Sequence, residues 1–130
     1  PVNLSWAVDN RTVGLRVPDA EPDNRRIENR LAGSDGDPYL VLAGTLACGY
    51  LGMLEGLKPT DPVEGSAYGE DFSLHRHIYA ANEAMRNSEA MRSMLGDNFV
   101  DLYCAIKDDE YKEFQEIITP WEREILMFNV

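Results

Sequence analysis

Strand-like patterning is confined to the first thirty-one residues of the chain, and this asymmetry constrains the fold more than any other feature. The segments "RTVGLRV" (11–17) and "RRIENRL" (25–31) flank a connection rich in Pro, Asp and Asn, which is typical of two neighbouring strands. After "AGSDGD" (32–37) the patterning becomes helical. The sequence therefore predicts an α+β fold in which two antiparallel strands are followed by four or five helices, within a single domain over 1–130.

Start and stop signals divide the helical part, 37–130, into segments. Asp37 as N-cap and Pro38 at the first helical position predict a helix that runs to about Leu57. Its uncharged stretch, 39–54, contains three glycines and is predicted to be a core helix packed tightly against other backbone. That stretch is shorter than the roughly 20 apolar residues of a membrane span.

Four further helices are predicted beyond a loop at 58–71. Ser73 is expected to cap a helix reaching about Arg86, and Asn87 or Ser88 to start another that stops at Gly96. From residue 97 a stripe of large apolar side chains predicts a long helix and its buried face: Phe99, Leu102, Tyr103, Ile106, Tyr111, Phe114 and Ile118. "TPWE" (119–122) has the form of a capping box and predicts a last short helix to about Met127.

A two-stranded ribbon is only marginally stable in water and needs more sheet beside it. We therefore expect the sheet to be completed by sequence outside these 130 residues, so that the chain is a fragment. The apolar setting of Cys48 and Cys104 favours two free, buried thiols over one disulfide, and with it a cytoplasmic location.

Charge is distributed unevenly along the chain. The net charge is −11, which argues against nucleic acid or an anionic membrane as a partner. Residues 1–31 nevertheless carry five of the nine arginines, balanced by five acidic residues. The arginines, rather than the overall acidity, are therefore the informative charges.

In "RRIENRL" the alternation of a strand places Arg26, Glu28 and Arg30 on one face. Arg11 and Arg16 have opposite parity, although a bulge at Gly14 would bring them to the same face. Guanidinium groups bind phosphate and carboxylate oxygens two at a time, and a glutamate among them suits a magnesium or manganese ion that carries a polyphosphate. The alternative is a set of exposed ion pairs across strands, each contributing roughly 0–1 kcal/mol.

Other candidates for a site are weaker. His75 and His77 are two residues apart in a predicted helix, so their side chains diverge by about 200° and are read as surface residues. The acidic run at 108–110 is expected to form a solvated helix face. Tyr50, Met53, Met91 and Met94 have the spacing of core residues, and neither a nucleophilic triad nor a glycine-rich phosphate loop is present.

The motifs "DNRTVGLRVP", "RRIENRL", "DPYLVLAGTLACGYLGM" and "WEREILMFNV" resemble, in this order, the C-terminal part of the catalytic domain in the glutamine synthetase superfamily. The resemblance covers nearly the whole chain and is weakest over 58–96. It implies a ligase, a homo-oligomeric ring in the full-length protein, and active-site strands within 1–33. The implied reaction uses ATP and Mg²⁺ or Mn²⁺ to phosphorylate the γ-carboxylate of glutamate, after which ammonia or an amine displaces the phosphate.

The resemblance also implies a role for each charged residue of the two strand segments. Arg11 matches a catalytic arginine that touches the transferred phosphate and the glutamate. Arg16 and Arg26 match positions that bind the ATP phosphates. Glu28 matches a metal-binding glutamate, and Arg30 matches the arginine that holds the glutamate substrate.

The chain departs from the family pattern in several places. A lysine between the strand motifs has no counterpart in "DAEPDN" (19–24), and Asp37 replaces the usual asparagine. Tyr68 lies where some members are adenylylated, but "SAYGED" (66–71) does not reproduce that motif. The other metal ligands precede this segment in the family, so residues 1–130 alone are expected to be inactive. A catalytically silent assembly or binding module, and an unrelated helical interaction domain, are the competing interpretations.

Overall fold

The structure is a computed structural model that describes residues 3–71 and 73–129. The chain forms two compact units, Pro1–Leu74 and His75–Val130. The first unit contains the strands and one helix, and the second is helical. The predicted α+β class is therefore confirmed.

A small mixed sheet forms the centre of the first unit. Its strands are β1 (Trp6–Val8), β2 (Leu15–Val17) and β3 (Glu28–Asn29), in the order β1-β2-β3. β2 and β3 pair antiparallel, as predicted, whereas β1 pairs parallel to β2. The prediction of only two antiparallel strands was therefore wrong, because β1 is too short to show alternation and its register with β2 depends on tertiary structure.

A connecting segment at residues 60–67, which we call the strap, covers the free edge of β1. The backbone N–H of Val63 donates to the Trp6 carbonyl over 2.9 Å, and the Trp6 indole Nε1 donates to the Thr60 carbonyl over 2.7 Å. Ala7, Val13 and Ala67 form the buried core beneath this contact. The strap thus satisfies backbone groups that an edge strand would leave exposed.

Gly14 has a packing role next to β2. A Cβ at this position would collide with the backbone carbonyl oxygen of Asn3 and would lie 2.6 Å from Leu31 Cδ2. Because β2 begins at Leu15, Gly14 lies before the strand and not inside it as the sequence predicted. Its missing side chain allows the chain segments on either side of β2 to approach closely.

The first helix, α1 (Pro38–Leu54), begins where the sequence predicts. Asp37 caps it, since its Oδ1 accepts hydrogen bonds from the backbone N–H groups of Tyr39 at 2.9 Å and Leu40 at 3.0 Å. A hydrogen bond of 2.9 Å from Asn29 Nδ2 to Thr45 Oγ1 connects β3 to this helix. The helix ends three residues before the predicted Leu57.

The expectation that α1 is a tightly packed core helix was wrong for the described chain. Only Ala47 is buried, and Leu42 and Leu46 are each about 60% exposed (59% and 64%). Its three glycines have no neighbour within 4 Å of an added Cβ. Most of the large apolar side chains of α1 therefore remain uncovered by the described residues.

The second unit contains α2 (Ile78–Arg86), α3 (Glu89–Leu95), α4 (Asp97–Gln115) and a C-terminal π-helix (Glu122–Leu126). Ser88 caps α3 and Gly96 ends it with a positive φ of 88°, as the sequence predicts. Ser73 does not cap α2, because its hydroxyl accepts a hydrogen bond from the backbone N–H of Leu4 instead and the helix starts at Ile78. Each helix in the described part of the chain is too short or too polar to span a lipid bilayer.

The predicted buried face of α4 was the wrong one. Val100 and Cys104 are fully buried, whereas Leu102 and Ile106 are exposed. The face that contains Cys104 packs against α2, where Asn82 Nδ2 donates to the Cys104 carbonyl over 3.0 Å. Two apolar faces are available on this helix, and periodicity alone could not decide which one α2 covers.

Local predictions at the C-terminus and at the cysteines had mixed outcomes. The capping box is confirmed, since the backbone N–H of Thr119 donates to Glu122 Oε2 over 2.7 Å and that of Glu122 to Thr119 Oγ1 over 3.2 Å.

Both cysteines are free, but only Cys104 is buried; Cys48 is exposed on α1. The prediction that both thiols are buried was therefore wrong for Cys48.

The chain exposes more surface than two compact units of its size should. Its solvent-accessible surface is 10254 Å². Two separate globular domains of 74 and 56 residues would together expose about 8,300 Å² by the usual scaling of surface with mass. Large apolar side chains contribute much of this surface, on α1 in the first unit and on α4 in the second.

Candidate functional site

The candidate site is built on the pairing of β2 with β3. Arg16 and Glu28 are direct cross-strand partners in the antiparallel register, so their side chains emerge on the same face. Arg16 Nη1 donates to Glu28 Oε2 over 2.8 Å. The Arg16 side chain is only 15% exposed and that of Glu28 29%, which makes this the best-shielded ion pair of the cluster.

Arg26 approaches the other oxygen of the same carboxylate. Its Nη2 lies 3.2 Å from Glu28 Oε1, and its side chain is 58% exposed. Both oxygens of Glu28 thus accept from a guanidinium, one on each side. The sequence predicted Arg26, Glu28 and Arg30 on one face of a strand, but Arg26 lies before β3, which contains only Glu28 and Asn29.

Asp9 is a member of the cluster that the sequence reasoning missed. Its carboxylate forms a hydrogen-bonded ion pair with Arg16 Nη2, so that Arg16 is held between two carboxylates. Asp9 immediately follows β1 and has a φ of 50°, and it is the only residue other than glycine in the described chain with a positive φ. Asp and Asn are enriched in this region of conformational space, which is a weak signal in the "DN" of the sequence.

These contacts shift the ionisation of the two central groups in opposite directions. The hydrogen bond from Arg16 holds the pKa of Glu28 below its usual value, with partial burial acting in the other direction. The hydrogen bonds to Glu28 and then to Asp9 raise the pKa of Arg16. Both shifts favour the charged forms of Glu28 and Arg16.

Arg30 lies on the same segment but does not join the ion-pair cluster. Its backbone N–H donates to the Gly14 carbonyl over 2.9 Å, which continues the pairing beyond β3. Its Nε is buried and has no hydrogen-bond partner in the described part of the chain, and the same is true of Arg16 Nε. An unpaired, buried guanidinium nitrogen is unfavourable unless a further acceptor completes it.

Hydrogen bonds of the residues on either side of Arg11, Asn10 and Thr12, fix the backbone at this position. Asn10 Oδ1 accepts from the Thr12 backbone N–H at 2.9 Å and from Thr12 Oγ1 at 2.7 Å, while Asn10 Nδ2 donates to the Gly65 carbonyl over 2.6 Å. Thr12 Oγ1 in turn accepts from the Ala67 N–H at 2.8 Å. Residues on both sides of Arg11 are therefore tied to the strap.

The Arg11 side chain itself is exposed and makes no hydrogen bond or ion pair with residues 3–71 or 73–129. Of the five predicted site residues, the structure thus joins Arg16, Arg26 and Glu28 through their side chains. Arg11 and Arg30 keep guanidinium groups that no described carboxylate neutralises.

The donor set fits anions better than it fits a complete metal centre. The guanidinium groups of Arg16 and Arg26, which bind carboxylate oxygens here, have the forked donor geometry that also suits phosphate oxygens. No three of His, Cys, Asp and Glu in the described ranges lie close enough to hold a metal ion. Glu28 therefore supplies one candidate ligand, and a complete metal site would need ligands beyond the described residues.

The residues that were weaker candidates for a functional site form no comparable cluster of charges in the described chain. His75 and His77 are exposed, and Tyr68 is 68% exposed on a 3₁₀ turn, Ala67–Gly69. Asp108 was expected to be solvated with its neighbours, but it accepts from Asn82 Nδ2 over 2.7 Å and pairs with Arg86. Its role is to join α2 to α4.

Comparison of the sequence with known proteins places the chain in a family. Residues 1–126 match the sequence profile of the family described as glutamine synthetase, catalytic domain. The chain belongs to the glutamine synthetase family, as the sequence motifs predict.

Similar proteins include glutamate–amine ligases as well as glutamine synthetases. The chain is 38% identical over 124 residues to the glutamate–isopropylamine ligase of a Pseudomonas species, covering 92% of this chain and 27% of that protein. It is 36% identical over 135 residues to the gamma-glutamylputrescine synthetase of Escherichia coli strain K12, covering 99% and 28%. It is 31% identical over 131 residues to the glutamine synthetase of Methanococcus voltae, covering 94% and 29%. The chain thus spans less than a third of the length of these relatives.

Proposed function

We propose that the chain is the C-terminal portion of the catalytic domain of an ATP-dependent ligase that joins ammonia or an amine to the γ-carboxylate of glutamate. The observation that carries this proposal is the Arg16–Glu28–Arg26 cluster at the pairing of β2 with β3, in a chain that matches the family's catalytic domain over residues 1–126. The relatives' names describe ligases that act on glutamate.

The exposed apolar surface supports the view that these residues work within a larger protein. α1 contains no charged residue, yet most of its large side chains are open to solvent. Soluble monomers rarely leave so much contiguous apolar surface uncovered. We infer that the rest of the catalytic domain covers α1 in the complete protein, which we propose to be a cytoplasmic homo-oligomeric ring.

The charged residues have distinct roles in the proposed reaction. Phosphoryl transfer depends mainly on positioning and on stabilising charge on the transferred group, and arginines do both. Arg16 and Arg26 bind the phosphates of ATP, Arg11 contacts the transferred phosphate and the glutamate, and Arg30 binds the glutamate carboxylate. The unpaired Nε of Arg30 is consistent with an acceptor supplied by a ligand.

Glu28 is proposed to contribute one ligand to a magnesium or manganese ion. The bound ion would neutralise phosphate charge during the transfer. Within this chain, the part of Glu28 is to present a carboxylate that stays ionised at neutral pH, because Arg16 keeps its pKa low. Its two guanidinium contacts hold the carboxylate at the strand pairing until other ligands are present.

The acceptor is tested with the complete protein. Release of ADP and phosphate is measured with ATP, glutamate and, in turn, ammonia, isopropylamine, putrescine and ethanolamine. We expect release to depend on glutamate and to be stimulated by at least one of these acceptors. If no acceptor stimulates release from correctly folded protein, the proposed function is wrong.

One variant and its matched control test whether the activity depends on Glu28. Glu28→Ala in the complete protein is expected to abolish ligase activity while far-ultraviolet circular dichroism remains that of the wild type. Glu64→Ala removes an exposed carboxylate in the strap and should leave activity unchanged. Residues 1–130 alone are expected to show no turnover, since Glu28 is the only predicted metal ligand they contain; turnover above background would contradict that.

A further inference from the structure

The Asp9 carboxylate pairs with the guanidinium of Arg16, which is the less exposed of the two arginines in the cluster. Arg16 uses Nη1 for Glu28 and Nη2 for Asp9, so each carboxylate holds a different nitrogen. Two anchors on different nitrogens fix the plane of the guanidinium, whereas one anchor would leave it free to rotate. We propose that Asp9 is a positioning residue that keeps Arg16 oriented for the phosphates of ATP, an inference that rests on the proposed function.

The backbone fixes Asp9 at this position. Its N–H donates to the Val17 carbonyl over 2.9 Å, directly after the parallel pairing of Val8 with Val17. Its left-handed φ of 50° turns the chain at the end of β1. The carboxylate is therefore held beside β2 by backbone structure as well as by its ion pair.

The difference in exposure separates the roles of the two carboxylates. The Asp9 side chain is 59% exposed and the Arg16 side chain 15% exposed. Glu28, at 29% exposure, already shares its oxygens between Arg16 and Arg26. If Glu28 leaves Arg16 for another ligand, Asp9 remains as the group that holds the guanidinium in place.

Charge alone predicts the opposite effect of removing Asp9. Asp9, Glu28, Arg16 and Arg26 carry two negative and two positive charges, and their sum is zero. Without Asp9 the cluster would have a charge of +1, which attracts a polyphosphate more strongly. A positioning role therefore predicts weaker ATP binding, and a general charge effect predicts stronger ATP binding.

The test uses Asp9→Asn in the complete protein. Asparagine tolerates the left-handed backbone, so the substitution removes the charge without forcing a change of φ. We expect the KM for ATP to rise about threefold to fivefold, in the range expected for a partly exposed ion pair, while the KM for glutamate stays unchanged. The Kd of ATP, measured by equilibrium dialysis without glutamate, should rise by the same factor.

The control is Asp19→Asn, which removes an exposed carboxylate of the same unit that forms no ion pair with the described residues. It should leave both ATP constants unchanged. Asp9→Gly also fits a positive φ and is expected to reproduce the effect of Asp9→Asn, so it replaces that variant if the asparagine protein does not fold.

The outcomes separate this inference from the proposed function. An unchanged or lowered ATP constant in the Asp9 variants overturns the positioning role, and so does an equal rise in Asp19→Asn. Failure of the wild-type protein to bind or consume ATP would instead overturn the proposed function, whatever the variants do.

Discussion

Arg16 and Glu28 face each other across β2 and β3, with 2.8 Å between Arg16 Nη1 and Glu28 Oε2. In a ligase of this family these two side chains are proposed to bind different ligands, a phosphate and a metal ion. In this chain they form an ion pair with each other. Ligand binding would therefore replace an internal ion pair with external ones, and the strength of the pair influences both affinities.

The first prediction concerns the pH dependence of stability. Arg16 lowers the pKa of Glu28 in the folded state below its ordinary value of 4.5. A carboxylate of this kind stabilises the fold fully above its unfolded pKa, and the contribution is lost as the pH falls through the lower, folded pKa. We expect Glu28→Gln to be less stable than the wild type at pH 7 in urea unfolding. The difference should shrink only below about pH 4.5.

The matched variant for this measurement is Glu64→Gln, which alters an exposed carboxylate in the strap. Its stability relative to the wild type should vary little between pH 7 and pH 3. A difference for Glu28→Gln that stays constant down to pH 3 would show that the Arg16 contact does not stabilise the fold through ionisation.

The second prediction concerns Gly14. A methyl group there would collide with the Asn3 carbonyl, and backbone atoms cannot move aside as a flexible side chain can. We expect Gly14→Ala to lower the free energy of unfolding of the first unit by about 2 kcal/mol or more, as overpacking of a close contact typically does. Gly69→Ala, where an added Cβ meets nothing within 4 Å, should change stability by less than about 0.5 kcal/mol.

A crystal structure of the Gly14→Ala protein would add a direct readout. Gly14 accepts from the Arg30 N–H and adjoins the strand that carries Arg16, so its displacement should disturb the register of β2 with β3. Equal stabilities for the two alanine variants would mean that the chain adjusts at Asn3 without cost.

Features set by neighbouring residues could be predicted from the sequence. Asp37 and Pro38 start α1, and Thr119 with Glu122 forms the capping box, because each signal depends on atoms within four residues. Arg26 and Glu28, two residues apart, are likewise in contact, although Arg26 lies just before β3.

Features set by distant residues could not be predicted in this way. The strap lies more than fifty residues from β1, and its hydrogen bonds to Trp6, Asn10 and Thr12 leave no periodic signal. Asp9 joins the cluster only through the parallel register of β1 with β2. The buried face of α4 was predicted wrongly because Val100 and Leu102 are both apolar and lie on different faces of the helix. Only the packing of α2 against α4 determines which of the two faces is buried.

The third prediction tests whether α1 is covered in the complete protein. Leu46 is 64% exposed in this chain, so Leu46→Ala should change the stability of residues 1–130 by no more than about 0.5 kcal/mol. In the complete protein the same change should cost about 2–5 kcal/mol if the side chain is buried there. Thermal unfolding of both variants, each beside its own wild type, measures the contrast.

Val13→Ala is the matched control, because Val13 is fully buried within the first unit itself. It should destabilise both the chain and the complete protein by about 1.5–3 kcal/mol. A neutral Leu46→Ala in the complete protein would mean that α1 remains uncovered there, and the proposed packing would be wrong.

The fourth prediction concerns Asn82, a polar side chain that is 5% exposed between α2 and α4. Its Nδ2 donates both to the Cys104 carbonyl over 3.0 Å and to Asp108 Oδ1 over 2.7 Å, so one amide group joins the two helices. Asn82→Ala removes both donors and should lower the free energy of unfolding of the second unit by about 1–3 kcal/mol. Asn98→Ala, at an exposed position of α4, should change it by less than about 0.5 kcal/mol. Chemical unfolding followed by helical circular dichroism distinguishes the two, and equal effects would show that the buried amide contributes no more than helix propensity does.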